Sequence, residues 1–328
     1  MSSGEGFDAA NVSYSEGLAQ SSADQVLKEQ IKALYHRLQK GALTEADLIS
    51  IEDVQFRDDG QIIDHLVHDK QCFLTHFGYF IPTYDIFRVF DDASQVVLDV
   101  GAHCGYSVLA MRDRGCKASI VSIDAMPSNI RALDQLKKLS GKDYDYVHTA
   151  ISSEPGTLRL YLPVMNGFGL TGLASTGATL TDTYDGFGAH FALESVQYPS
   201  RQASGLHDPR IAILEINAAR LDDVFEARGD EMQRIVAVKL DLEGHEAPAL
   251  RGAERIFART KPLLMIEEAN RNPEVVKVMT GYGYFHCERH NGCLVAHSEI
   301  SMMNDGFWVH PEKISEYRRL GIFKGDAP

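Results

Sequence analysis

The chain has 328 residues, 44% hydrophobic and 24% charged, which is typical of a globular protein able to bury a sizeable core. Its net charge of −14 argues against a nucleic-acid backbone as the main substrate, because that binding needs clustered lysine and arginine. No apolar run is long enough to span a bilayer, and the polar, acidic start lacks the pattern of a signal peptide. Five cysteines at scattered spacing favour a reduced, cytoplasmic compartment.

The N-terminal part of the chain divides into two segments. Residues 1–22 are rich in serine, glycine and acids, and we predict that they are disordered. From Ala23 to Lys40 apolar residues recur on one helical stripe, and Gly41 follows as a stop signal. We interpret residues 23–93 as an N-terminal helical cap, or as the segment through which two copies of the chain form a homodimer.

The segment VVLDVGAHCGYS, residues 96–107, reads as a buried strand, a tight glycine turn and the start of a helix. Doubly wound α/β proteins build nucleotide sites from this arrangement. Gly101 and Gly105 give the spacing D-x-G-A-x-x-G rather than the G-x-G-x-x-G of dinucleotide folds. It resembles the first motif of class I S-adenosylmethionine (SAM) methyltransferases. An ordinary strand–turn–helix that needs glycine for a positive φ stays open as the alternative.

A second apolar strand, residues 119–124, ends in Asp124. Asp124 follows the first glycine by 124 − 101 = 23 positions, close to the ~20 expected for a carboxylate that binds ribose hydroxyls. Pro127 then stands where the first turn of a helix tolerates proline. A solvated residue at the end of the strand is the alternative interpretation of Asp124.

Strands and helices alternate from residue 96 onward, which is typical of a parallel sheet. Further strands are predicted at residues 144–151, 157–164, 235–240 and 263–266, the second of them as an edge strand. Helices are predicted at about 105–114, 127–139 and 245–258, and another begins near Val275. The segment GYFHCERHNGCLVAHS reads as a hairpin that turns at Asn291-Gly292. The predicted fold class is therefore α/β: a Rossmann-like, mostly parallel sheet that ends in an antiparallel hairpin, preceded by an N-terminal helical segment.

Periodicity is lost in residues 163–210, where glycine, threonine, serine and aromatic residues dominate. This insert follows the third strand of the sheet, which places it over the edge where ligands bind in such folds. We interpret it as a lid over the substrate. The predicted catalytic domain spans residues 94–310 including the insert, and residues 311–328 are predicted to be a C-terminal tail.

A second cluster of ionisable residues lies in IVAVKLDLEGHEAPALRGAERIF, residues 235–257. Lys239, Asp241 and Glu243 alternate, so an extended strand would carry them on one face at its C-terminal end. Such groups are costly to bury unless they are paired or used. A structural Lys239–Asp241 ion pair, and simple helix capping by Glu246, stay open as alternatives.

Six motifs follow one another in an order that resembles the FkbM-type methyltransferases: VVLDVGAHCGYS, SIDAMPSN, AISSEPGTLRL, RLDDVF, VKLDLEGHEAPALRGAERIF and PLLMIEE. The resemblance covers about residues 95–290, and its hallmark is K-x-D-x-E-G-x-E. It implies SAM-dependent methylation, usually of a hydroxyl on a sugar, a glycolipid, a polyketide or another small natural product. It also implies that the strand-one turn binds SAM and that Asp124 holds the ribose. The predicted cofactor residues are Asp99, Gly101, Ala102, His103, Gly105, Tyr106, Ser107, Asp124, Ala125 and Ala150.

Methyl transfer needs in-line positioning and exclusion of water, and a hydroxyl acceptor must also lose its proton. The predicted catalytic residues are Asp241, His245 and Glu243, with His190 of the insert as a further candidate base. Asp241 ranks first because the strand end directs it towards the methyl group, and His245 ranks second because its ordinary pKa lies near neutrality. No metal is predicted, although a divalent cation on Asp241, Glu243 and Glu267 stays open.

Two other functions stay open beside methyl transfer to a small-molecule hydroxyl acceptor. A nicotinamide-dependent oxidoreductase would use the same strand–turn–helix, but the missing G-x-G-x-x-G pattern argues against it. A non-catalytic partner protein would keep the fold, but the intact Asp99, Gly101, Gly105 and Asp124 argue against that role.

Overall fold

The computed structural model describes residues 29–30, 33–34, 36–56, 59–77, 81–176, 208–267, 272–296 and 306–325. Within these ranges the chain forms a nine-stranded and a four-stranded sheet. The predicted disordered segment, residues 1–22, and most of the predicted lid, residues 177–207, lie outside the described residues.

The described residues form thirteen strands, in chain order: β1 (Val96–Val100), β2 (Ser119–Asp124), β3 (Tyr144–His148), β4 (Ala150–Ile151), β5 (Gly156–Met165), β6 (Phe168–Gly169), β7 (Pro209–Ala219), β8 (Ile235–Leu240), β9 (Leu263–Ile266), β10 (Phe285–His290), β11 (Cys293–Ala296), β12 (Gly306–Val309) and β13 (Phe323–Lys324). The large sheet has the order β13-β11-β10-β12-β9-β8-β1-β2-β3, and the small sheet has the order β4-β7-β5-β6.

The described helices are Asp59–His68, Lys70–Phe77, Tyr106–Asp113, Ile130–Ser140, Leu221–Glu226, Glu246–Arg251, Glu254–Thr260, Pro273–Gly281 and Ile314–Arg319. Short 3-10 segments occur at Glu45–Asp47, Ile51–Asp53, Ile81–Val89, Gly141–Asp143, Thr171–Leu173, Gly229–Arg234 and Pro311–Lys313. None of these helices is both long and apolar enough to cross a membrane.

Five neighbouring strands, β3, β2, β1, β8 and β9, are parallel. The central three of them, β2, β1 and β8, are apolar runs buried on both faces, as covered parallel strands are. Their predicted bounds are confirmed, as are those of β9 at residues 263–266. Because parallel strands end at the same edge, the polar residues that follow β1, β2, β8 and β9 are brought together.

Two strand predictions need correction. The predicted strand 144–151 is two strands, since β3 ends at His148 and β4 joins the small sheet beside β7. The predicted edge strand 157–164 lies within β5, which pairs with β7 along its whole length and with β6 on its other side. The four strands β4 to β7 therefore leave the main sheet and build a second layer over its ligand-binding edge.

Two helix predictions also need correction. The helix expected at 127–139 begins at Ile130, so that Pro127 precedes it rather than occupying its first turn. The helix expected at 245–258 is split, because the buried carboxylate of Asp222 accepts hydrogen bonds from the N–H groups of Arg255 and Ile256 at 2.9 and 3.0 Å and caps a new helix there.

The hairpin prediction is confirmed, with β10 and β11 paired around Asn291 and Gly292, whose φ angles are 49° and 72°. Both positive angles fit a type I′ turn. The hairpin is not adjacent to the parallel strands, however, because β12 lies between β9 and β10 and is antiparallel to both. The predicted C-terminal tail supplies β13, which pairs with β11, and the buried Phe323.

The described part of the predicted N-terminal cap packs on both sheets. Leu34 and Leu38 belong to a cluster with Ile211 of β7. Further along, Ile63 and Phe73 belong to the main core together with β1 and the helix that follows it. The first half of the segment thus packs on the small sheet and the second half on the main sheet. Association of two copies through this segment stays a prediction.

Candidate functional site

A cavity of about 280 Å³ lies at the carboxyl ends of β1, β2, β8 and β9 and under β4 and β5 of the small sheet. This is where parallel α/β sheets bind ligands. All three predicted catalytic residues line it, together with half of the predicted cofactor residues: Asp241, Glu243, His245, Gly101, His103, Asp124, Ala125 and Ala150.

The other five predicted cofactor residues, Asp99, Ala102, Gly105, Tyr106 and Ser107, are not among the lining residues. Asp99 is fully buried below the turn, where it accepts a hydrogen bond from the Ser107 hydroxyl at 2.7 Å. Gly105 precedes the helix with a φ of 83°, and the Tyr106 ring packs edge-on against His103. These residues support the turn on the side away from the cavity. Motif spacing alone does not distinguish such supporting residues from residues that line the cavity.

The turn after β1 is tied to its neighbours by the backbone. Gly101 has a φ of 76°, and its N–H donates to the carbonyl oxygen of Ile123 at 2.9 Å. A β-carbon on Gly101 would overlap the backbone oxygen of Asp241. The close approach of the loop after β8 therefore requires glycine at this position, with or without a ligand.

Asp124 is held by three donors of the protein itself. Its carboxylate accepts from the N–H groups of His103 and Met126, both at 2.8 Å, and from the Asn129 side chain at 3.0 Å. A carboxylate has about four lone-pair sites, so roughly one remains for a ligand. The predicted contact with both ribose hydroxyls thus has room for one hydrogen bond. Asn129, which sequence reasoning missed, donates to the same carboxylate oxygen, Oδ1, as the N–H of Met126.

Burial raises the pKa of Asp124 to about 6, against an ordinary 3.8, despite these hydrogen bonds. The folded state therefore keeps a proton that the unfolded chain has released at intermediate pH, so stability falls as pH rises through that window. We expect this group to account for a loss on the order of 3 kcal/mol between about pH 4 and pH 7.

The measurement is urea unfolding across that pH range in the wild type and in Asp124→Asn, which cannot ionise. The difference in unfolding free energy between the two proteins should change by that amount. Parallel pH curves for the two proteins would contradict the raised pKa.

Lys239 links the turn to the opposite wall of the site. Its ammonium donates to the carbonyl oxygen of Gly101 at 3.0 Å and lies 3.0 Å from Asp241 and 3.5 Å from Asp99. Burial opposes ionisation of Asp241, but the charge of Lys239 and a hydrogen bond with Glu267 outweigh it and hold the pKa of Asp241 below its ordinary value. The ion pair left open by the sequence is present, and it weakens Asp241 as a base.

The expected common strand face of Lys239, Asp241 and Glu243 is wrong, because β8 ends at Leu240. Glu243 lies in a loop with a φ of 48°. Glu246 holds this loop by accepting hydrogen bonds from the N–H groups of residues 242 and 244 at 2.9 and 3.1 Å. Both donors precede the helix Glu246–Arg251, so Glu246 fixes the loop, and its capping of the helix stays open as an alternative.

The loop brings Asp241 and Glu243 to Glu267 at the end of β9. One oxygen of each carboxylate lies within 4.8 Å of the others, a spacing compatible with a shared cation. Asp241 also lies 3.0 Å from the ammonium of Lys239, as the ion-pair alternative expects. The cation alternative stays open.

His245 lies at the same end of the cavity, between two hydroxyl groups. Its Nε2 lies 3.1 Å from Ser152 Oγ, and its Nδ1 lies 3.3 Å from Thr176 Oγ1. Burial lowers the pKa of the imidazole, which keeps it neutral near pH 7. Sequence reasoning missed both hydroxyls. Ser152 lies in the motif AISSEPGTLRL, where the sequence assigns it no role, and Thr176 lies in the aperiodic insert.

The described lining carries four carboxylates, Asp124, Asp241, Glu243 and Glu267, and two imidazoles. Among these described lining residues there is no lysine or arginine side chain. Apolar side chains, including Ile151, Leu158 and Leu160, cover the side nearest the small sheet. The cavity therefore has an acidic end and an apolar end.

The family model for the methyltransferase FkbM domain matches residues 99–286, more than half of the chain. Among solved structures, an FkbM methyltransferase from Methylobacillus flagellatus KT is 13% identical, with a TM-score of 0.39, over 66% of this chain and 43% of that protein. The precorrin-6y C5,15-methyltransferase from Geobacter metallireducens GS-15 is 9% identical, with a TM-score of 0.34, over 70% of this chain and 84% of that one. The match thus spans less than half the length of the first of these proteins. No curated protein sequence matches the chain.

The family match covers the glycine turn, Asp124 and the whole loop after β8, and on this match the chain belongs to the FkbM methyltransferase family.

Proposed function

We propose that the chain is a SAM-dependent methyltransferase with a class I, Rossmann-like sheet that methylates a hydroxyl of a small molecule of sugar, glycolipid or polyketide type. The observation that carries this proposal is the charge of the cavity, which has four carboxylates and no lysine or arginine side chain among its described lining residues. SAM carries a positive sulfonium and a positive ammonium group, so an acidic site at the strand ends suits it.

The same charge disfavours the oxidoreductase alternative. A nicotinamide dinucleotide brings a pyrophosphate, which binds at a helix N-terminus above a glycine-rich turn that admits the phosphates. Here the turn places Gly101 against the backbone of Asp241 and the side chain of Leu242, and the cavity that it lines also carries Asp124, Asp241 and Glu243. The apolar end of the cavity, with Ile151, Leu158 and Leu160, offers apolar side chains that suit an adenine ring.

The residues of the chain would contribute positioning and charge. When bound, SAM supplies a methyl group that is already electrophilic because it is attached to a positive sulfur. The turn at Gly101 and the side chain of Asp124 would hold the nucleoside part. Asp241 and Glu243 would stabilise the positive end, and the small sheet, whose residues line the cavity, would exclude water from that side.

The proposal is tested by thermal unfolding with SAM, S-adenosylhomocysteine and NAD. A ligand at 100 times its dissociation constant stabilises the folded state by about 2.7 kcal/mol. We expect stabilisation by the first two compounds and none by NAD. Stabilisation by NAD alone would favour the oxidoreductase, and no response to any of the three would favour a non-catalytic protein.

A matched pair of variants locates the binding. Ala150 lines the cavity and is 7% exposed, so Ala150→Leu fills part of the space and should abolish the shift caused by SAM. Ala227 is exposed after the helix Leu221–Glu226, and Ala227→Leu should leave that shift unchanged. An equal response of both variants would place the binding elsewhere.

A further inference from the structure

The imidazole of His245 has one inner and one outer nitrogen. Its Nε2 lies 3.1 Å from the hydroxyl of Ser152, a residue that is 7% exposed and does not line the cavity. Its Nδ1 lies 3.3 Å from the hydroxyl of Thr176, which does line the cavity. Any ligand that reaches this ring from the cavity therefore meets Nδ1.

A neutral imidazole carries a single N–H, and the partner of one nitrogen determines what the other can do. If Nε2 carries the proton, it donates to Ser152 and the lone pair of Nδ1 faces the cavity. If Nδ1 carries the proton, the ring can only donate towards the cavity and cannot accept a proton there. The shorter of the two contacts, with Ser152, lies within the usual range for an N–H donor to oxygen, and the longer one does not.

Ser152 is a fixed partner. Its N–H donates to the carbonyl oxygen of Ala219 at the end of β7, at 2.9 Å. Its own carbonyl oxygen packs so closely on Gly252 that a β-carbon there would overlap it. The hydroxyl therefore approaches the ring from a backbone that is held on both sides, which is what an orienting group requires.

The competing bases are less suited to the task. Asp241 is committed to Lys239 at 3.0 Å and to Glu267. Glu243 has a left-handed φ of 48°, and its backbone is fixed because the N–H groups of residues 242 and 244 donate to Glu246. The Nδ1 of His245 lies 3.3 Å from a cavity-lining hydroxyl, in a position where an acceptor hydroxyl can meet it.

We propose that Ser152 is a positioning residue that accepts the Nε2–H of His245, so that Nδ1 is the atom that receives the proton of the acceptor hydroxyl. This proposal rests on the proposed function. It also assigns a place to the acceptor: its hydroxyl replaces that of Thr176 at Nδ1.

The proton and electron balance is complete with these groups. A lone pair of the acceptor oxygen forms the new bond to the methyl carbon, the carbon–sulfur bond breaks, and its electron pair stays on sulfur as S-adenosylhomocysteine. The hydroxyl proton passes to Nδ1, and His245 becomes an imidazolium that still donates through Nε2 to Ser152. Release of that proton to water restores the neutral ring.

The test reads the protonated nitrogen directly by long-range proton–nitrogen correlation spectra of the ¹⁵N-labelled protein near neutral pH. The signals of His245 are identified by their loss in His245→Gln. In the wild type we expect a protonated Nε2 and an unprotonated Nδ1. In Ser152→Ala the Nδ1–H form should increase about fivefold or more, because Nε2–H loses its acceptor.

Two further variants separate this assignment from a general disturbance. Ser153→Ala removes the neighbouring hydroxyl and should leave the His245 signals unchanged. Thr176→Val removes the hydroxyl beside Nδ1 and should also leave Nε2 protonated. A protonated Nδ1 in the wild type, or a tautomer change in Thr176→Val but not in Ser152→Ala, would overturn the proposal.

Calorimetry with SAM on the same proteins keeps the two proposals distinct. Ser152→Ala should bind SAM as the wild type does, since Ser152 does not line the cavity. If the wild type shows the expected tautomer but does not bind SAM, the proposed function is refuted. The conclusion that Ser152 sets the tautomer of His245 would then still hold. SAM binding together with a protonated Nδ1 would refute only the role of Ser152.

Discussion

Replacing Lys239 with methionine should lower the free energy of unfolding by about 3–5 kcal/mol, the range for breaking a buried ion pair from one side. The Lys239 side chain is 7% exposed, and Asp99 beside it is completely buried. Burial disfavours the charged lysine, but the charges of Asp241 and Asp99 more than compensate and raise its pKa. Methionine keeps most of the volume but leaves the two carboxylates without their cation.

Urea unfolding followed by circular dichroism measures this loss, and Lys137→Met is the matched control. Lys137 also pairs with an aspartate, Asp145, but on the surface, where its side chain is 48% exposed. Surface pairs contribute only about 0–1 kcal/mol. Similar losses in the two variants would show that burial of Lys239 between its carboxylates is not what stabilises the site.

The second large effect is expected for Gly101→Ala, which should lose about 2–5 kcal/mol of stability and also SAM binding. A left-handed conformation costs a non-glycine residue roughly 1–2 kcal/mol. The new methyl group would also overlap the backbone oxygen of Asp241, and overpacking of this kind typically adds about 1–3 kcal/mol. Relief of the overlap must displace the loop that carries Asp241, so the cavity changes as well.

Gly321→Ala separates the two contributions. Gly321 has a φ of 74°, close to the 76° of Gly101, and a β-carbon there would have no atom within 4 Å. This variant should therefore lose only the conformational part and should keep SAM binding. The prediction is refuted if the two variants lose equal stability and if calorimetry shows unchanged SAM binding in Gly101→Ala.

The amino-acid sequence by itself determined the parallel core of this protein. The sequence predicts the strands at residues 96–100, 119–124, 235–240 and 263–266 with their observed bounds, because a strand buried on both faces must be a short apolar run. The hairpin turn at Asn291-Gly292 was equally readable, since few residue pairs accept two positive φ angles. Both features are local, and so is the glycine spacing that indicated the family.

Only the tertiary structure decided what those residues do. The split after His148 and the insertion of β12 between β9 and β10 depend on pairing between distant segments, which local periodicity does not encode. The three donors that hold Asp124 and the pairing of Lys239 with two carboxylates likewise depend on where loops meet. Ser152 contacts His245, which lies 93 positions away in the sequence. The composition of the two segments does not predict this contact, because a hydrogen bond depends on three-dimensional geometry rather than on residue type alone.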